Sequence, residues 1–555
     1  MRKILTIIAL LYFMVVPLTA QPTVVKHEMR AVWLTTIGGV DWPRSRATNA
    51  ASIRTQQQEL CRILDQLQAA NINAVMLQTR IRASVIYPSD IEPWDYVMSG
   101  KAGVSPGYDP LQFAIDECHK RGMQLHAWVV TIPVGKWNSL PTKQLRQLMP
   151  NNIRKIGDEG YMNPERPETA TYLARICREI TERYDIDGIH LDYIRYPETW
   201  KITVPHNEGR RHITHIVRTI HDVVKGIKPW VMFSCSPIGK FDDLTRYSSR
   251  GWNAYTKVCQ DAQGWLRDDL MDALFPMMYF KGDHFYPFAI DWQQHTSGRI
   301  IAAGLGTYML DKSQQNWSFD IMKREMYVLR DLGLGHAHFR SKFFTDNTKG
   351  IYDFSTQEFD RYPALVPPMT WASSQTPEAP ASLHVSNTNG NVSLSWSPVT
   401  SAESYILYNV YASEQSPVDT DDPRNLIATR IMGTSLNPQL SMLRSHPPTF
   451  KHYAVTAIDR YGNESTATQD VPLQPVSPIL TAGLSDMLSV NGQTLTVPTG
   501  YESAPYLAIE TLQGTIIATH QNQSQIDISS LAPGIYLLKS LNAQGITQPI
   551  GIFQK

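Results

Sequence analysis

The sequence predicts an α/β fold: a closed barrel of eight parallel strands with helices outside, followed by two small all-β sandwich domains. Three observations predict it. Strand-like and helix-like runs alternate from about residue 28 to 345, so successive strands must run parallel. Eight such units are present, the number a (β/α)8 barrel needs in order to close. No glycine-rich phosphate loop follows the first strand, which counts against an open doubly wound sheet, the alternative for such a pattern.

The predicted strands, in order, are 29–36, 73–80, 124–131, 188–194, 231–237, 273–280, 300–307 and 335–341. Between the first two, Leu60, Ile63, Leu64 and Leu67 recur at helical spacing behind Asn49, a residue type that caps helices. Further helices are predicted over 109–121, 167–184, 210–226 and 318–332. After Pro367-Pro368 the composition shifts to Ser, Thr, Pro and Ala as far as Pro380, so 21–366 is read as the barrel and 367–380 as a linker. Short alternating runs such as 392–396 and 453–457, the second followed by the turn Arg460-Tyr461-Gly462-Asn463, predict a β-sandwich over 381–475. The remaining 476–555 read as more short strands.

Composition removes several classes of function. Lys+Arg and Asp+Glu both number 51 in the 555 residues, so no excess positive charge is available for a phosphate backbone and no nucleic-acid partner is expected. Arg2-Lys3, an apolar run to Leu18 and then Thr19-Ala20 have the order of an export leader over 1–20. No later run of about 18 apolar residues offers a membrane span. The five cysteines are scattered and have no CxxC spacing for metal or redox work, so they are read as buried free thiols, with one adventitious disulfide as the alternative.

The most informative stretch is Asp187-Gly188-Ile189-His190-Leu191-Asp192-Tyr193-Ile194-Arg195-Tyr196-Pro197. Alternation puts Gly188, His190 and Asp192 on one face of the fourth strand, with Asp192 at its C-terminal end, where barrel enzymes place their chemistry. A carboxylate there serves as nucleophile, base or stabiliser of a positively charged transition state, or else pairs with Arg195. Asp187, at the strand's start, reads as a cap. For a second acid three rim positions compete: Glu92, Glu198 and Asp283. Glu92 is preferred, because Ile91-Glu92-Pro93-Trp94 sets it beside an indole that would raise its pKa; Asp283, past the sixth strand, is close behind. Arg30, Trp33, Gln78, Arg80, Trp128, His190, Arg195 and Tyr279 lie on or just after predicted strands as candidate substrate contacts. The arginines could equally orient the acids, and Trp128 could equally fill the barrel. His336 and His338 share a strand face and His212 and His215 a helical turn, but neither pair has an evident third ligand, so no metal and no cofactor are expected.

The barrel resembles the family-10-like glycosyl hydrolases. The resemblance is carried by Glu28 to Thr36 with Asp41-Trp42-Pro43, by Gln78-Thr79-Arg80 with Tyr87-Pro88-Ser89 and Glu92-Pro93-Trp94, by Gly107 to Leu111, by His119 to Gly122 leading to Leu125-His126-Ala127-Trp128, and by Asp187 to Pro197. It implies hydrolysis of glycosidic bonds in a polysaccharide, with peptidoglycan glycan strands a recurrent association; many relatives carry acids where Ser84 and Tyr193 stand here. A non-catalytic carbohydrate-binding barrel and a metal-dependent hydrolase are the alternatives. The 381–475 segment resembles a fibronectin type III domain, and 528–539 resembles a type IX secretion sorting domain. With the leader, the latter implies export to the periplasm or surface of a Gram-negative bacterium.

Overall fold

The computed structural model describes residues 24–247, 249–388, 391–401, 404–437, 450–468, 471–472, 488–499, 506–511, 516–541 and 547–555. The leader expected over 1–20 lies outside them. Eight parallel strands close a barrel: β1 (Arg30–Leu34), β2 (Ala74–Arg80), β3 (Gln124–Val130), β4 (Gly188–Asp192), β5 (Met232–Cys235), β6 (Ala273–Leu274), β7 (Ile300–Leu305) and β8 (Gly335–His338). Each pairs with the next, and Arg30↔His336 to Val32↔His338 joins the last to the first. All eight fall within the ranges the sequence predicts. β5 and β6 stop short at Pro237 and Pro276, which have no N–H to give a ladder.

The helices that follow are α1 (Ala50–Ala69), α2 (Pro110–Lys120), α3 (Pro167–Arg183), α4 (His206–Ile227), α5 (Ala262–Arg267), α6 (Tyr286–Gln294), α7 (Phe319–Asp331) and α8 (Ser341–Thr345). Asn49 caps α1 by accepting from Ala51 N and Ser52 N, and Asp109 caps α2 ahead of Pro110. In α4, Ile213, Ile216, Val217, Ile220 and Val224 form the buried stripe.

Strand alternation sorts the core into two layers. Val32, Leu34, Val75, Leu77, Ile189 and Leu191 face the helices, while Ala31, Trp33, Ala74, Met76, Trp128 and Phe275 fill the barrel. Gly188 is obligatory in this filling, since a Cβ there would run into the His126 ring. After β3 a three-stranded sheet is inserted (Pro133–Lys136, Ile153–Ile156, Glu159–Met162).

Among the described residues, the helical shell buries an acid without a compensating partner. Glu325 of α7 is 1% exposed, and its Oε1 has no hydrogen-bond partner. Burial alone pushes its pKa up to about 9. Because the folded value exceeds that of the unfolded chain, the group binds a proton more tightly when folded, so stability declines as pH rises above the unfolded value. Glu325→Gln is expected to raise stability on the order of 3 kcal/mol at pH 7 and to leave it unchanged near pH 4. Urea melts at the two pH values check this; a gain independent of pH would contradict it.

Beyond the barrel, two antiparallel sheets (His384–Thr388, Asn391–Ser395, Ser435–Leu436; and Leu426–Ile431, Leu407–Ser413, His452–Ile458, Val471–Pro472) enclose Val392, Leu394, Trp396, Val410 and Val455. This sandwich and the barrel form one compact unit. Arg430 and Arg460 of the sandwich both reach the Asp187 carboxylate, and Arg460 also pairs with Asp185 at 2.7 Å. Asp187 accepts in addition from Leu125 N at 2.9 Å and meets His119 Nε2 at 2.8 Å. At Gly122 (φ +72°) the domains approach so closely that a Cβ would lie 2.8 Å from the Thr429 carbonyl oxygen. Part of the segment predicted as a linker is docked: Met369 is buried, and Trp371 Nε1 donates to Asp272 at 2.8 Å. The chain's last part is a second unit with three-stranded and four-stranded antiparallel sheets around Leu495, Leu507, Ile526, Leu538 and Phe553.

Candidate active site

At the C-terminal ends of the strands lies a cleft of ≈ 580 Å³. Asp192, Gln78, Trp128, Arg195, Glu198 and Tyr279 all line it. The end of β4 carries Asp192 there because alternation turns it inward and the strand stops directly after it. The next residue, Tyr193, has φ +55°, a left-handed conformation that a bulky side chain adopts only under constraint. That turn brings the Tyr193 N–H back onto Asp192 Oδ1 at 2.8 Å.

The Asp192 carboxylate is buried but well supplied with donors. Oδ1 also accepts from Ser236 Oγ at 3.0 Å, and Oδ2 accepts from Trp128 Nε1 at 3.2 Å. Burial pushes its pKa up, and the Ser236 hydroxyl, the Arg195 charge, the Tyr193 N–H and the Trp128 N–H pull only part of the way back. Glu198 lies under the opposite influence. Burial tends to raise it, but the hydrogen bond and charge of Arg195, at 2.7 Å, hold it below the ordinary value. The Arg195 guanidinium lies over the Tyr193 ring, 4.3 Å from its centroid. Asp192 and Glu198 are the carboxylates that line the cleft among the described residues.

The second acid preferred from sequence is therefore corrected. Glu92 is locked by Arg80, which donates from Nε at 2.8 Å and Nη2 at 2.7 Å, and by Tyr172 at 3.1 Å; it does not line the cleft. The cause is Arg80, which is fully buried at the end of β2 and takes the nearest carboxylate as its counter-charge. Arg80 spends its remaining nitrogen on the Thr131 carbonyl at 2.9 Å, so it is structural too. Asp283 is exposed in a single 3-10 turn, Gly282–His284, and does not line the cleft.

Three further candidates lie below the cleft. Arg30 opens β1, which places it at the opposite mouth, paired with Glu28 at 2.6 Å and Asp360 at 3.2 Å. Trp33 fills the barrel, donating from Nε1 to His190 Nε2 at 3.1 Å. His190 is fully buried, meets Ser234 Oγ at 3.0 Å, and is held uncharged by burial. Gln78, Trp128, Arg195 and Tyr279 do line the cleft; Gln78 Oε1 accepts from Thr36 N and Ile37 N, and the Tyr279 ring stacks on Phe339 at 5.4 Å. Sequence reading missed Ser236, Tyr193, Trp252, Tyr308 and Phe339. Ser236 could have been found from its place one period beyond Ser234, just past β5.

The histidines of β8 have structural roles. His338 stacks on Phe344 at 4.4 Å, and burial lowers its pKa to about 3. His336, Glu28 and Asp360 offer ligand atoms within 4.8 Å of one another. The two carboxylates, however, are already neutralised by Arg30 and Arg330, whose charges oppose a cation.

The model of the family "Glycosyl hydrolase-like 10" matches residues 28–208 and 207–302. Glycosyl hydrolase YngK of Bacillus subtilis (strain 168) is 28% identical over 80% of this chain and 93% of its own length. Glycosyl hydrolase DigH of Escherichia coli (strain K12) is 32% identical over 48% of this chain and 68% of its own. Among solved structures, α-L-fucosidase isoenzyme 2 from Paenibacillus thiaminolyticus aligns with a TM-score of 0.41 at 14% identity, over 63% of this chain and 51%, about half, of that one. The family model and the 32% identity to DigH over 68% of that protein place the chain: it belongs to the glycosyl hydrolase-like 10 family.

Proposed function

We propose that the protein is an exported glycoside hydrolase that cleaves a polysaccharide, with peptidoglycan glycan strands the first substrate to try. The observation that carries the reading is the pair of carboxylates lining one cleft, with environments that push their pKa values in opposite directions. Asp192, held high, delivers a proton to the leaving oxygen. Glu198, held low and ionised, acts on the anomeric carbon, or activates the water that attacks it. This reverses the roles the sequence favours, in which Asp192 attacks and a second acid protonates. Trp128, Ser236 and the Tyr193 N–H fix the orientation of the Asp192 carboxylate. Export rests on the leader-like 1–20, and among the described residues no helix is long and apolar enough to cross a membrane.

The test is release of new reducing ends from isolated sacculi and from a set of purified polysaccharides, followed by mass spectrometry. Active protein should show a rate plateau bounded at low pH by Glu198 and at high pH by Asp192. Ser236→Ala removes a donor that favours the ionised Asp192, so the pKa rises and the high-pH limb of kcat/KM is expected to move upward. An unmoved limb would mean that another group sets it, and glycan binding without turnover on any substrate would favour a carbohydrate-binding barrel.

A further inference from the structure

We propose that Trp252 is a stacking platform for a pyranose ring, a subsite beside the Glu198 wall, so that the cleft holds an oligosaccharide and not a single glycoside. This deepens the hydrolase reading and takes from it only the class of ligand. Trp252 lines the cleft yet is 38% exposed, while Trp33, Trp42, Trp265 and Trp292 are at most 1% exposed. An indole partly open to water at a cleft wall offers a flat apolar face to whatever enters the cleft.

The loop that presents it is braced on both sides. Gly251 N donates to Asp243 Oδ1 at 3.0 Å, and the fully buried Asn253 caps the turn Ala254–Lys257 through Thr256 N at 2.9 Å. Ala254 N and Tyr255 N tie the loop to the Lys240 and Phe241 carbonyls at 2.9 and 2.8 Å. The backbone that presents the ring is thus held on both sides. Its neighbour on the cleft side is Arg195, with the guanidinium 5.9 Å from the ring centroid and bound to Glu198 at 2.7 Å. Trp252, Arg195 and Glu198 therefore form one continuous wall. One face of a pyranose is a set of C–H groups carrying slight positive charge, the complement of the electron-rich face of an indole. A sugar seated on Trp252 adjoins the one that Glu198 addresses.

The experiment uses full-length protein carrying Asp192→Asn, titrated calorimetrically with hexamers of glucose, xylose and N-acetylglucosamine and with the three monosaccharides. At least one hexamer is expected to bind while its monosaccharide does not. Trp252→Ala should weaken that hexamer at least about tenfold, and Trp252→Phe should retain most of the affinity, which separates stacking from a folding defect. Equal affinity in Trp252→Ala and its parent overturns the proposal, as does the absence of Trp252-dependent binding to every hexamer. If unmutated protein binds a hexamer through Trp252 but releases no reducing ends from it, the platform stands and the hydrolase reading falls.

Discussion

Asp192→Asn should lower the rate of glycan hydrolysis by about 10²–10⁴-fold while leaving glycan binding and the melting temperature nearly unchanged, because the substitution removes the proton and the charge without altering the shape of the side chain. The fold should tolerate it. The carboxamide oxygen can keep the bonds from Ser236 Oγ and Tyr193 N, and only the bond from Trp128 Nε1 meets a donor in place of an acceptor. That loss, on the order of 1 kcal/mol, is offset by relief from burying a carboxyl group. The readouts are reducing-end release, calorimetric binding and a thermal melt on one preparation. Activity equal to that of the unmutated protein would remove Asp192 from the mechanism and with it the assignment of acid and base.

The second large effect concerns the barrel's other mouth. A chain ending at 473 is expected to melt within a few degrees of the full-length protein, since the final unit has its own core. A chain ending at 376 should be strongly destabilised. It would lose Arg430 and Arg460, which together with His119 hold Asp187 ionised against burial, and would uncover the surface on which Met369, Trp230 and Tyr461 pack. A milder version is Arg430→Ala in the full chain. Asp187 then stays buried with part of its counter-charge gone, a cost of about 3 kcal/mol. The pair's contribution is present at neutral pH and is lost as pH falls through the depressed Asp187 value, so the difference between Arg430→Ala and the parent should narrow in acid. If the 376 chain melts with the full-length protein, the sandwich is a spacer and not a part of the barrel's foundation.

Much of this molecule can be read along the chain. The eight strands, the Asn49 and Asp109 caps and the apolar stripe of α4 follow from period, propensity and end chemistry, which are local properties. Asp192 is legible for the same reason, because its strand's period and length fix both its face and its end. The companions of Asp192 are decided by charge pairing and packing that local pattern does not encode. Glu92 has an acid's local context, yet Arg80, at the end of the strand before its loop, captures it; Arg30 and Trp33 sit on a barrel strand but at the wrong height.

The amino-acid order by itself determined the barrel, its helical coat and the aspartate at the end of β4, because each depends on spacings of a few residues. Only the tertiary structure decided which carboxylates line the cleft and which are buried away from it as counter-ions. That choice is made by charge pairing and burial between elements dozens to hundreds of residues apart, such as Asp187 with Arg430 and Arg30 with Asp360.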